Sequence, residues 1–321
     1  MEIPPAASAA FNNHCAWAAE CILKGEVTFF LGAGVNLCNR PADLAWTSAD
    51  KQHLPSGDEL ARHLSAEFRL AEPSVDLARV AQYGATIRDT RDLYTKLHRL
   101  FGASYPPTAA HAFLASTARS LRERRATSHP LIISTNYDDL MEVALESEKV
   151  PYDLLVYESD SDNKGKFRHR SSTGTTVIIK RPNAYSYPLL EQAPCVLKIH
   201  GSVDRSDPDA DSYVITEDHY IEYLANRPLE QIIPASVLDR VRNSRLLFLG
   251  YSLRDWNLRV FLRRLTQSQR LATKHWAVML RADEVEEKFW SNSADVEIWR
   301  MSVRDYVAGL QPALAQASRE H

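Results

Sequence analysis

Three polar side chains at the ends of apolar runs are this chain's clearest candidates for chemistry. Asn136 and Asp138 follow Leu131-Ile-Ile-Ser-Thr135, and His200 follows Val196-Leu-Lys-Ile199. A histidine titrates near working pH and suits a general base. A fourth signal lies earlier, where Val27-Thr-Phe-Phe-Leu31 runs into Gly32-Ala33-Gly34-Val35-Asn36. Glycines at a strand end allow positive φ and lack the Cβ that would hold the backbone away from phosphate oxygens, so a diphosphate is the natural ligand of such a turn. A fourth run, Leu246-Leu-Phe-Leu249, ends in Gly250-Tyr-Ser252 and is followed by Leu253-Arg-Asp-Trp-Asn257, a polar start to a helix. Four buried strands thus deliver Gly, Asn, Asp, His and Ser to one edge, which is where open parallel sheets bind ligands.

Each of these residues has a plainer reading. The glycine turn lacks the third glycine and immediate helix of the full dinucleotide fingerprint, because Val35 to Pro41 follows, so a tight strand-to-loop turn accounts for it equally well. A helix expected over Tyr137 to Lys149 makes Asp138 an N-cap. His200 alone reads as a satisfied buried polar group. Ser252 and Asn257 are equally turn and cap residues, and Asn36 a cap or turn residue.

Taken in order and spacing, GAGVN, STNYDD, KIHGS and LGYSLRDWN resemble the sirtuin-like domain family, in particular its bacterial antiphage-defence branch, over roughly residues 15 to 280. The resemblance implies an α/β fold with a Rossmann-like, mainly parallel sheet flanked by helices. It also implies hydrolysis of NAD+ to nicotinamide and ADP-ribose, depleting the cofactor during phage infection. Such cleavage passes through an oxocarbenium-like state, so the site must bind the leaving carboxamide, stabilise ribose charge and position water.

By resemblance, Asn136 orients the water and a ribose hydroxyl, His200 accepts a proton, and Asp138 meets the nicotinamide amide. NAD+ contacts are expected at Gly32, Ala33, Gly34, Asn36, Thr135, Asp138, Gly201, Gly250, Ser252 and Asn257. Other outcomes stay open: a module that binds NAD or ADP-ribose without turnover, or an NAD-dependent deacylase or ADP-ribosyltransferase. The family's deacylases hold zinc on two Cys-x-x-Cys pairs; Cys15, Cys21, Cys38 and Cys195 lack that spacing, so no zinc is expected and deacylation is disfavoured. The family's loop-closing segment is also replaced, here by Arg40, Trp46 and Leu54-Pro-Ser-Gly-Asp58. Asp58 or Glu59 is a candidate for the ribose side, although Ser56-Gly-Asp-Glu59 is equally a capping box.

The elements that must position these groups follow from periodicity. One domain is expected over 1–321, with a helical subdomain inserted at 57–126 and a C-terminal helix and tail at 303–321. Leu60, Leu64 and Phe68, then Val80, Tyr83 and Ile87, then Leu93, Leu97, Leu100 and Phe101 mark successive amphipathic helices of the insert, and Ala109 to Arg122 returns to the sheet. Helices are also expected at Ala9–Lys24, Glu284–Trp290 and Val303–Leu314, and late strands at His275–Leu280 and Val296–Met301. The acidic loop Asp204–Asp211 lacks calcium-loop spacing and reads as solvated.

Composition excludes little and agrees with this. The 321 residues are 45% hydrophobic and 25% charged, with a net charge of −3. That gives no global attraction to nucleic acid or anionic membranes, and no apolar run approaches the ~20 residues of a membrane span. A cytoplasmic protein is expected. Arg119, Arg122, Arg124 and Arg125, and Arg254, Arg259, Arg263 and Arg264, form basic clusters without interleaved aromatics, so direct nucleic-acid binding is not expected. The family implies a separate activating chain, a HerA-type ATPase or an Argonaute-type protein, and assembly into homo-oligomers through the helical faces of 57–125 and 303–316.

Overall fold

Apolar runs flanked by turn residues become the strands of one sheet. The computed structural model describes residues 5–71, 74–160, 162–225, 228–251, 274–280, 284, 287–288, 290–291 and 295–320. Strands Val27–Leu31 (β1), Leu131–Ser134 (β2), Asp153–Tyr157 (β3), Phe167–Arg170 (β4), Thr176–Ile179 (β5), Cys195–Lys198 (β6), Arg245–Leu249 (β9), His275–Met279 (β10) and Val296–Arg300 (β11) form a nine-stranded sheet. Their order is β11-β10-β9-β1-β2-β6-β3-β4-β5, parallel except for the last two strands. The four motif-bearing strands β9, β1, β2 and β6 are therefore neighbours at its centre. Between β6 and β9, Gly201–Ser202 (β7) and Ser212–Tyr213 (β8) pair as a separate short ribbon.

Every residue of β1 is buried, as a strand covered on both faces requires. Val27, Phe29 and Leu31 face a core shared with helices Pro5–Leu23 (α1), Ala109–Glu123 (α5), Leu140–Ser147 (α6) and the C-terminal helix Val303–Glu320. Phe30 faces the opposite core, which holds Val237, Leu238 and Val241 of helix Ala235–Asn243 (α8). The result is a helix–sheet–helix sandwich, the Rossmann-like α/β arrangement.

The segment 57–126 divides between two layers. Helices Gly57–Glu67 (α2), Leu77–Ile87 (α3) and Thr90–Phe101 (α4) share their own apolar cluster with Tyr137, Leu140, Val203 and Tyr213, which lie just beyond β2 and β6. These three helices thus cover the carboxyl edge of the sheet, whereas α5 packs on its face. Their starts are written locally: Ser56 and Glu59 complete a capping box, and Asp76 and Asp89 accept the N–H groups of Arg79 and Asp92. The buried stripe of α3 is Val80, Ala81 and Gly84, while Tyr83 and Ile87 are exposed, a shift from the face that apolar periodicity selects. The cause is close packing: Phe68 lies where a Cβ on Gly84 would sit 2.2 Å from its ring.

Polar contacts fasten this cap to the sheet. Tyr94 Oη is 3.1 Å from Ser159 Oγ, and His98 Nδ1 is 2.9 Å from Asp211 Oδ2. Gln82 donates to Asp218 at 2.9 Å, joining α3 to helix Glu217–Ala225 (α7). The acidic loop is likewise internally bonded, with Asp211 Oδ1 accepting the Asp204 N–H at 2.6 Å and Arg168 held by Asp204 at 3.3 Å. No described helix is long and apolar enough to cross a membrane.

Candidate active site

The site is set by one rung of the sheet. Leu31 pairs with Ser134 on one side and Leu249 on the other, and Ser134 pairs in turn with Lys198. Four strands thus end level, and the residues that follow each of them open from the same line. Asn136 and His200 each stand two residues beyond a partner in that rung. Backbone bonds carry the ladder slightly further, from Gly32 N–H to the Leu249 carbonyl (3.0 Å), Thr135 N–H to Leu31 (3.1 Å) and Ile199 N–H to Ser134 (3.1 Å).

The glycine turn serves a purpose other than the one its sequence implies. Gly32 has φ of −104°, and neither it nor Gly34 occupies the left-handed region. Both are glycine because the turn after β9 lies against them. A Cβ on Gly34 would come 2.7 Å from the Gly250 carbonyl oxygen, and one on Gly250 would come 2.3 Å from Val35 N. Gly250 alone of the three has positive φ, +69°. The Gly32 and Gly34 N–H groups donate to Leu249 and Gly250 carbonyls (3.0 and 2.8 Å), so these two amides are already bonded and not free for a phosphate. Despite Pro41, a 3₁₀ turn spans Ala33–Leu37 directly after Gly32, with Val35 and Asn36 buried.

Around this turn the polar residues converge. Asn136 donates from Nδ2 to the Gly32 carbonyl (3.2 Å), and Thr135 accepts from Tyr251 Oη (3.0 Å). Asp138 accepts the Leu140 N–H at 3.1 Å through Oδ1, so its carboxylate does bond the start of α6, although the helix begins at Leu140 and not at Tyr137. Its Oδ2 accepts from Asn36 Nδ2 at 2.7 Å. Because a carboxylate only accepts, that bond fixes the Asn36 amide orientation. Asn36 Oδ1 is then a buried acceptor with no hydrogen-bond partner among the described residues.

His200 is buried, and among the described residues neither ring nitrogen has a hydrogen bond. Its ring meets Tyr220 and Tyr223 edge-on at centroid distances of 5.5 and 5.8 Å. Burial lowers its pKa to about 3, away from the near-neutral titration its residue type suggests. The following Gly201 has φ of +82°, and an added Cβ would strike the Ser212 carbonyl at 2.0 Å, which fixes glycine there. Ser252 and Asn257, with the basic residues Arg254, Arg259, Arg263 and Arg264, lie outside the described residues.

Several buried groups behind the site lie outside the expected site residues. Lys198 and Glu142 form an ion pair with Nζ 3.6 Å from Oε1, and Lys198 also donates to the Asp138 carbonyl. His111 accepts the Thr108 N–H at 3.2 Å, and burial lowers its pKa to about 4; Thr108 Oγ1 donates to the Val35 carbonyl at 2.9 Å. A lysine inside the otherwise apolar run Cys195-Val-Leu-Lys-Ile199 was the available sequence signal. Glu59 is engaged by its capping box and by a two-pronged contact with Arg40 at 2.7 and 2.5 Å, which with Ser56 holds its pKa down to about 2. A cavity of about 350 Å³ opens at the opposite, amino edge of the strands, beside Gly25, Thr127 and Arg240, and contains none of the site residues.

Comparison with known proteins shows the family. Over 244 residues the chain is 29% identical to the NAD(+) hydrolase ThsA of Acinetobacter baumannii (strain 532279), covering 74% of this chain and 41% of that protein. Over 271 residues it is 22% identical to Defense-associated sirtuin 2 of Bacillus subtilis, covering 83% of this chain and 21% of that protein. The chain therefore spans less than half the length of these relatives. The SIR2-like domain matches residues 130–295, from the start of β2 to the threshold of β11 and just over half of the 321 residues, and the chain belongs to the SIR2-like domain family.

Proposed function

We propose that this protein hydrolyses the nicotinamide–ribose bond of NAD+, releasing nicotinamide and ADP-ribose, and that it acts in antiphage defence by depleting the cofactor. The observation that supports this reading is the common rung, where the adjacent strands β2 and β6 end level, each two residues before Asn136 or His200. The names of its two relatives support the same chemistry and setting.

The substrate suits the groups present. An unsatisfied buried acceptor costs roughly 1–3 kcal/mol, and Asn36 Oδ1 is relieved by a donor such as the nicotinamide amide or a ribose hydroxyl, both of which NAD+ carries. Asn136 supplies an amide that orients the incoming water. His200, neutral across the physiological range, accepts the proton. A pKa of about 3 does not disqualify it, because water adding to an oxocarbenium carbon becomes strongly acidic as the C–O bond forms, so a weak base suffices. The same low pKa is what favours the second reading, a module that binds NAD or ADP-ribose without turnover. Control by a separate chain, such as a HerA-type ATPase or an Argonaute-type protein, and homo-oligomer assembly belong to this proposal.

The test is release of nicotinamide and ADP-ribose by the wild-type, Asn136→Ala and His200→Ala proteins, with and without lysate from phage-infected cells. Loss of about 10²-fold or more in each variant is expected. Retained NAD+ binding with no cleavage under any condition overturns the hydrolase in favour of the binding module. Formation of O-acetyl-ADP-ribose from an acetylated peptide would show acyl transfer instead.

A further inference from the structure

Lys198 sits at the centre of the sheet, paired with Ser134 on one side and Val156 on the other, and is only 1% exposed. Burying an ammonium is costly unless its partners are well placed. Here they are few. Glu142 Oε1 lies at 3.6 Å, beyond hydrogen-bond reach, and neither Glu142 oxygen has a hydrogen bond among the described residues. As a device for stability the pair is poor, since apolar residues of the same size would pack there without the desolvation cost. What Lys198 does make, among the described residues, is one hydrogen bond, to the backbone carbonyl of Asp138.

That bond joins the two halves of the site. The Asn136–Asp138 turn belongs to β2, whereas Lys198 precedes His200 by two residues on β6. The preceding carbonyl, Tyr137, accepts the Val203 N–H at 2.8 Å, from the residue just after β7, which follows β6 in the chain. Two consecutive peptides of the β2 turn are thus fixed from the β6 side. We propose that Lys198 is a positioning residue, whose ammonium holds the Asn136 turn at the spacing from His200 that turnover needs; its catalytic consequence rests on the hydrolase reading above. Misplacement of a reacting group by ~1 Å costs on the order of 10²-fold in rate.

The experiment compares wild type with Lys198→Met and with Lys198→Met/Glu142→Leu in the full chain. The double variant removes both buried charges, so it folds even if the single one, left with an unpaired Glu142, does not. Each protein is measured for amide hydrogen exchange and for kcat and KM on NAD+. In the double variant, exchange at Tyr137 to Leu140 is expected to rise by about tenfold or more while β1 and β9 stay protected. Its kcat is expected to fall about tenfold to a hundredfold with KM nearly unchanged. Wild-type kcat in a folded double variant, or unaltered exchange in that turn, overturns the proposal. If the wild-type protein cleaves no NAD+, the hydrolase reading fails by itself, and the exchange measurement still decides whether Lys198 holds the turn.

Discussion

Four glycines separate the two costs that a methyl group imposes on a backbone, and the packing of the β1 and β9 turns rests on that separation. Gly57 has open space and an ordinary φ; Gly174 has φ of +92° with nothing within 4 Å. Gly34 has no positive φ, but its Cβ would meet the backbone of Gly250 at 2.7–3.0 Å. Gly250 combines φ of +69° with contacts of 2.3–2.9 Å to the backbone of Gly34 and Val35. Replacement by alanine should gain about 0.5–1 kcal/mol at Gly57, the first residue of α2, through helix propensity and a less free unfolded chain. At Gly174 it should lose about 1–2 kcal/mol to left-handed strain alone. Gly34→Ala should lose about 1–3 kcal/mol to overlap alone, because no side chain is present to rotate away. Gly250→Ala carries both and should lose about 2–5 kcal/mol. Urea unfolding with a shared m-value reads these differences, and an NAD+ titration adds an independent reading. Only the Gly34 and Gly250 variants should weaken binding, since only they push two turns of the rung apart. A Gly34→Ala protein with wild-type stability and wild-type binding would refute the back-to-back packing.

Because burial holds His200 near 3, kcat should stay level between about pH 8 and pH 5 with no break at the ordinary histidine value; a break near pH 6.5 that vanishes in His200→Gln would count against it. Stability should fall in acid even where kcat stays level. His14, His111 and His275, lowered to about 4, and His200 stay neutral when folded but protonate near pH 6.5 when unfolded, so their contribution is complete above that pH and is lost as pH falls toward 4. Each removes on the order of 1 kcal/mol per pH unit below about 6.5, partly offset by the raised pKa of Glu142, and equal urea midpoints at about pH 7.5 and 5.5 would contradict this. Glu59→Gln should loosen the loop that Arg40 fastens to α2, costing about 1–2 kcal/mol, and limited proteolysis at Lys51 should accelerate; unchanged cleavage would show that the clamp is dispensable.

The strands and their order of chemistry were legible because each buried run stops at Gly, Asn or His, and a polar break after an apolar run is a local signal. Local signals also gave the Ser56 capping box. The reason for Gly32 and Gly34 was not legible, since their steric partner, Gly250, lies more than half the chain away and no periodicity connects them. The exposed Tyr83 and Ile87 show the same limit: apolarity alone cannot tell a core face from a surface one when Gly84 is what makes the contact. The α6 boundary was read too early because Asp138 bonds the Leu140 N–H from outside the helix. His200 was legible as a polar residue at a strand end but not in its lowered pKa, which depends on the burial that folding imposes among Tyr220 and Tyr223.

The position of β1 between β2 and β9 also dictates when the site comes into existence. Its two neighbours come from residues 131–134 and 245–249, so the central strand is flanked on both sides only after residue 249 has been synthesised. Such non-local pairing forms slowly, because long loops must close before any contact rewards them. A polypeptide still on the ribosome, or one truncated before Leu249, lacks the turn that abuts Gly34 and the strand that flanks β1 on that side. Synthesis order alone thus keeps the unfinished protein from presenting the complete rung of strand ends.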